Sequence, residues 1–176
     1  MRGLIWVLAR IQALPFLGLP GFLGRHLNRI RAFRESRARD GSGTLPSVWF
    51  HAASLGELEM LRPMLDDLVA MAVPVGVSVF SESALSGLKG LEGRTVYAGL
   101  SPREDHWESW FESYGVRKLV LAKYDFWPGL LRAARKRSAQ VWVVNAEWRG
   151  SLRLVCRVFR WMREPLPELR FWVNAG

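Results

Sequence analysis

Past residue 46 the chain alternates between short apolar runs and longer stretches with helical spacing. Ser47–His51 carries Val48, Trp49 and Phe50 in succession, the pattern of a strand buried on both faces. A loop through Ala52, Ala53, Ser54, Leu55 and Gly56 leads to a predicted helix over Glu57–Met71. Its apolar positions Leu58, Leu61, Leu65, Leu68 and Val69 share one side, with Asp66 and Asp67 outside. Pro63 within this stretch predicts a kink or a later helix start. The cycle then repeats. Strands are expected over Val75–Phe80, Thr95–Ala98, Lys118–Ala122 and Val141–Asn145, and a sixth begins at Phe171–Val173. Between them lie a short helix ending at Leu88, a helix over Glu104–Tyr114, one reaching Lys136 and an Arg-rich amphipathic one over Ser151–Met162. This alternation predicts an α/β fold, a Rossmann-like and mostly parallel sheet with helices on both faces.

In such sheets ligands meet the carboxyl edge of the strands. His51–Glu57, Ser81–Ser83, Lys123–Trp127 and Asn145–Arg149 all follow strands and should gather there. Glu57 is the sharpest of these candidates. In a first helical turn, free backbone N–H groups and the helix dipole favour its charged form. There it can take a proton from an attacking hydroxyl, or simply cap the helix. Glu59, two residues on, should point to solvent. His51 at the strand end is either a structural hydrogen-bonder or a proton shuttle. Gly56 implies close backbone approach or an unusual dihedral. In Lys123–Pro128, Lys123 suits a phosphate or carboxylate and Asp125 a sugar hydroxyl, with Pro128 in the first turn of a helix. The plainer reading makes Asp125 or a neighbour the helix cap, with Phe126 and Trp127 as core plugs.

Charge changes the picture at the two ends. The 176 residues carry a net +9, but residues 1–40 contribute +6, residues 41–131 contribute −4 and residues 132–176 contribute +7. A continuous nucleic-acid groove needs unbroken positive charge, so this basic–acidic–basic order argues against nucleic acid as a partner. Leu4–Leu23 is apolar but is interrupted by Arg10, Pro15 and Pro20, too broken for a spanning helix. Six arginines follow, from Arg25 to Arg39. An apolar segment followed by a basic run suits an anchor on an anionic membrane surface. The turn-rich stretch from Asp40 to Pro46 would link this leader to the sheet domain. Cys156 is the single cysteine, so no disulfide forms within the chain. His26, His51 and His106 lack metal-ligand spacing, and neither GxGxxG nor a P-loop occurs; no metal or resident cofactor is expected.

His51-Ala52-Ala53-Ser54-Leu55-Gly56-Glu57 resembles the HAxSxGE signature of the 3-deoxy-D-manno-octulosonic acid (Kdo) transferases of lipopolysaccharide synthesis. Lys123–Pro128 falls where that family has EtElWP, and Val143-Val144-Asn145-Ala146 resembles its vNaR strand end. The resemblance implies the N-terminal, acceptor half of a GT-B glycosyltransferase, inverting and metal-independent, with the Rossmann-like domain over residues 47–176. Glu57 would be the general base, and Ser54, Gly56, Lys123, Asp125 and Asn145 would bind substrate. The acceptor would be a lipid A precursor at the cytoplasmic face of the inner membrane, met by the leader over residues 1–40. The donor, CMP-Kdo, would be held mainly by a C-terminal nucleotide-sugar domain expected beyond Gly176, without which this chain alone should not catalyse transfer. Lys123 and Asp125 replace the two glutamates of EtElWP, Glu147 stands where vNaR has Arg, and Gly99–Pro102 departs from the family's PyD segment. The competing reading is a non-catalytic membrane-surface or scaffold domain that keeps the fold and binds lipid A-like anions.

Overall fold

The computed structural model describes residue 46 and residues 48–91, 94–123, 125–146, 150–161, 163 and 165–172. The predicted leader over 1–40, the linker to Leu45, and Ser47, Tyr124, Glu147, Arg149, Met162 and Val173 lie outside these residues. The described strands are β1 (Val48–Ala52), β2 (Val75–Val79), β3 (Tyr97–Leu100), β4 (Lys118–Ala122), β5 (Gln140–Val144) and β6 (Leu169–Trp172). The helices are α1 (Leu55–Ala70), α2 (Glu82–Leu85), α3 (Trp107–Tyr114), α4 (Pro128–Lys136) and α5 (Gly150–Trp161). Single 3-10 turns at Ser86–Leu88 and Glu104–His106 extend α2 and precede α3.

The strands form one parallel sheet in the order β3-β2-β1-β4-β5-β6. The chain builds outward from β1 to β3, returns to β4 beside β1, then builds outward the other way. The sheet is therefore α/β and Rossmann-like, as the alternation of the sequence predicts, and its order reverses between β1 and β4.

Side-chain alternation along each strand separates two cores. Trp49 and His51 of β1 face α3, α4 and α5, while Phe50 and Ala52 face α1 and α2. On the first face Trp49 is fully buried, stacked on Tyr97 (5.5 Å) and edge-on to Trp110 (5.8 Å). Gly76, its register partner on β2, leaves room for the indole; a Cβ there would overlap the ring. On the second face Phe50, Val77 and Val120 meet Leu58, Leu61 and Leu65 of α1. A sheet covered on both sides accounts for strands that read as nearly unbroken apolar runs.

Two local expectations change. Helix α1 runs through Pro63 from Leu55 to Ala70. Pro63 and Glu59 are both exposed, so the carbonyl that loses its donor at Pro63 is on the hydrated side. Strand β3 lies two residues later than Thr95–Ala98, because Gly99 and Leu100 stay in the ladder and Ser101 N–H still bonds Val79 O (2.7 Å). Gly99 belongs in a strand because the Tyr97 hydroxyl crosses over it to donate to Leu100 O (2.6 Å); a Cβ at 99 would lie 2.8 Å from the Tyr97 hydroxyl oxygen.

Candidate active site at the strand-order reversal

The β1–α1 connection is two residues long, and Ser54 is the N-cap of α1. A reciprocal capping box forms. Glu57 N–H donates to Ser54 Oγ (3.4 Å), and Ser54 N–H donates to Glu57 Oε2 (2.9 Å). Ser54 Oγ also donates to the same Oε2 (3.1 Å). The bonds therefore converge on one carboxyl oxygen, and Oε1 takes part in no hydrogen bond among the described residues. Glu57 is buried, with 8% exposure, yet sits in the first turn of a helix at the carboxyl edge beside the β1/β4 reversal. Glu57 caps the helix with one oxygen, as the plainer reading expects, and leaves the other outside the cap. Glu59 is exposed.

Across the reversal, the β4–α4 loop places Asp125 in the interior at 4% exposure. Its Oδ1 accepts the Trp127 indole N–H, and Ala53 N–H also donates to the carboxyl. Its Oδ2 lies 3.5 Å from His51 Nε2. Burial, then the nearby Glu57 carboxylate, push Asp125 well above the usual carboxylate range, with Glu104 adding to the effect. His51 is 1% exposed, edge-on to Trp107 (5.1 Å), with Nδ1 3.0 Å from Ser78 Oγ. Ser78 Oγ already accepts from Trp49 Nε1 (2.8 Å) and is 3.4 Å from Phe50 O. The Ser78 hydroxyl and His51 Nδ1 share one hydrogen bond whose donor is set by the imidazole tautomer, while Nε2 faces Asp125. A buried polar chain therefore runs Trp49–Ser78–His51–Asp125–Trp127, from the core to the site. Asp125 is thus enclosed, its carboxyl held by Trp127 and Ala53.

Lys123 and Asn145 end β4 and β5 in the same way. Both adopt left-handed backbone (φ 51° each), and their N–H groups extend the ladder to Val144 O (2.8 Å) and Trp172 O (2.9 Å). Such a conformation costs a non-glycine residue roughly 1 kcal/mol and is concentrated at functional edges. Both side chains are half-buried on the carboxyl edge. Trp127, half-buried, stacks on Phe80 (4.7 Å), which joins the ends of β4 and β2. Gly56 departs from expectation. Its φ is outside the left-handed region, and among the described residues a Cβ there meets nothing within 4 Å. The glycine leaves open space over the first turn of α1.

Glu104 joins this cluster, although its own place in the sequence reads only as an acid in a helical first turn. Trp127 is the N-cap of α4 and makes no side-chain cap bond, so neither it nor Asp125 caps the helix. Instead the Glu104 carboxyl, from the 3-10 turn after β3, accepts Gly129 N–H and a hydrogen bond from Trp107. Burial pushes Glu104 up from 4.5 to about 7 despite these bonds. The folded state therefore holds this proton more tightly than the unfolded chain, and stability should fall as pH rises from about 4.5 to 7, by at most about 3 kcal/mol. Thermal melts across that range should show the decline, and Glu104→Gln should reduce it, leaving the part that the raised Asp125 carboxyl contributes.

Among the described residues no group of three His, Cys, Asp or Glu side chains could hold a metal ion, and no helix is long and apolar enough to cross a membrane.

An open parallel sheet whose order reverses beside two buried carboxyl groups defines a Rossmann-like α/β domain, with the candidate site at the reversal. Comparison with known proteins narrows the class. The sequence pattern of the family described as 3-deoxy-D-manno-octulosonic-acid transferase (kdotransferase), in its N-terminal part, matches residues 23–173, and the chain belongs to that family. A 3-deoxy-D-manno-octulosonic acid transferase of Bordetella pertussis is 25% identical over 148 residues, which cover 77% of this chain and 33% of the relative. The chain thus spans about a third of the length of this curated relative.

Proposed function

We propose that this chain is the acceptor-side domain of an inverting glycosyltransferase that moves Kdo from CMP-Kdo to a lipid A precursor, with Glu57 as general base. The observation that carries the reading is Glu57 itself: a buried carboxylate at the β1/β4 reversal whose Oε1 is left over from the capping box. In the proposed step Oε1 takes the proton of the acceptor hydroxyl as its oxygen bonds to the anomeric carbon of Kdo. The bond from that carbon to the phosphate oxygen of CMP breaks, and CMP leaves from the opposite face. Ser54 orients the base through two bonds to Oε2, so no reorganisation is needed when the proton arrives. Lys123 offers a cation to an acceptor phosphate, and Asn145 an amide to a hydroxyl, from neighbouring strand ends.

The donor nucleotide would be bound by a further domain. The lipid-linked acceptor places the reaction at the cytoplasmic face of the inner membrane. Arg153, Arg157 and Arg160 recur at helical spacing on α5 and are exposed, as is Trp161, which supports contact with an anionic surface. The test of the reading is Kdo transfer by the full-length protein carrying Glu57→Gln. A non-catalytic scaffold predicts no difference between that variant and wild type.

Gly56 supplies a second, independent test. Gly56→Ala should keep or raise stability, by roughly 0.5–1 kcal/mol, because alanine is the better helix former and its methyl enters open space. Transfer should nevertheless fall if that space receives the acceptor. Denaturant midpoints and transfer rates on the same preparation check this; loss of both together would assign Gly56 to folding alone.

A further inference from the structure

We propose that Glu104 is a positioning residue of this site, holding the first turn of α4, and with it the Asp125–Trp127 loop, against the loop that carries Glu57. The inference rests on the reading of Glu57 as the base.

The argument starts at the N-terminus of α4. Its N-cap, Trp127, offers no side-chain acceptor, and Pro128 has no N–H, so Gly129 carries the first free donor of the helix. The Glu104 carboxyl takes that donor from 25 residues upstream. The fit is close enough to dictate the residue: a Cβ at position 129 would lie 2.8 Å from Glu104 Oε1 and closer still to the Glu104 carbonyl oxygen. That carbonyl is backbone, so it cannot swing aside. Trp107, first residue of α3, adds its hydrogen bond to the same carboxyl and fixes the rotamer.

The contact matters because of what hangs between its ends. The β4–α4 loop is anchored at one end by the β4 ladder and at the other by Gly129. Between them lie Lys123, Asp125 and Trp127. Asp125 in turn receives Ala53 N–H and stands 3.5 Å from His51 Nε2, both in the segment that leads to Glu57. A shift of the first turn of α4 would therefore move Asp125 relative to the Glu57 loop.

The charge of Glu104 acts in the same place. The helix end favours a carboxylate, and burial opposes it. The charged groups around it are Asp105 on its own turn, paired with Arg103 (3.2 Å), and Asp125 on the β4–α4 loop, which itself faces Glu57. On α4, Arg132 and Lys136 are engaged with Glu108 of α3.

The test uses two variants and two readouts. Glu104→Gln keeps an oxygen for Gly129 N–H and removes the charge; Glu104→Ala removes both. In this chain the Gly129 amide resonance should titrate with a midpoint near the Glu104 value of about 7 and stop titrating in Glu104→Gln. In the full-length protein Glu104→Ala should lower kcat by up to about 100-fold, the cost of a displacement near 1 Å, with acceptor KM little changed. Glu104→Gln should keep most of kcat and lose pH dependence near neutrality. A folded Glu104→Ala with unchanged kcat, or a Gly129 amide indifferent to pH, overturns the proposal. Should Glu104→Ala fail to fold, the Gln variant and the amide titration still decide. Retained transfer in Glu57→Gln would remove the base and leave the Gly129 titration to stand or fall separately.

Discussion

Glu57→Gln should leave the domain folded and lower transfer by about 10²–10⁴-fold, the usual worth of a positioned general base. The substitution is selective because of the way the residue is bonded. Glutamine in the third helical position still completes a capping box, so the bonds with Ser54 N–H and Oγ can be kept and stability should change by less than about 1 kcal/mol. What glutamine lacks is a basic oxygen for the proton of the acceptor hydroxyl. The loss should therefore appear in kcat, with acceptor KM unchanged. A rise in KM at constant kcat would make Glu57 a binding group. Glu57→Ala is a poorer experiment, since it removes the base and half of the cap together.

The largest effect on stability should come from Trp49→Ala, about 3–5 kcal/mol. Trp49 is fully buried and holds together the aromatic cluster of Tyr97, Trp110 and Tyr114, with Tyr114 5.0 Å away. Its Nε1 is also the innermost donor of the polar chain that runs through Asp125 to Trp127; without it Ser78 Oγ loses a donor and its grip on His51 loosens. A urea titration should show a lower midpoint with an unchanged slope. Trp49→Phe should recover most of the packing but not the bond to Ser78. The gap between the two variants then measures how much of the site's order is supplied from the core.

Much of this architecture is legible in the sequence because period and burial agree. Val48-Trp49-Phe50 and Leu119-Val120-Leu121 read as strands since a parallel sheet hides both faces. The helix after β1 announces itself through Leu58, Leu61 and Leu65. Even the cap that Glu57 completes follows from its place three residues after Ser54. Contacts distant in sequence leave no such trace. Glu104 reads as one more acid in a helical first turn, and its partner Gly129 is 25 residues away. The clue was Gly129 itself, a glycine in a helix start where no turn requires one. His51, Ser78 and Asp125 meet only because β1, β2 and β4 are neighbours in the sheet. Of the two expectations for Gly56, the unusual dihedral is absent, and the structure holds open space beside the residue.

The most direct measurement is binding of a phosphorylated, acylated glucosamine disaccharide of the lipid A precursor type to this chain in detergent micelles, alongside CMP-Kdo. The account predicts saturable binding of the acceptor by wild type and Glu57→Gln alike, weakened in Lys123→Ala, with no comparable binding of the nucleotide sugar. Binding of CMP-Kdo in place of the acceptor, or of neither, would contradict it.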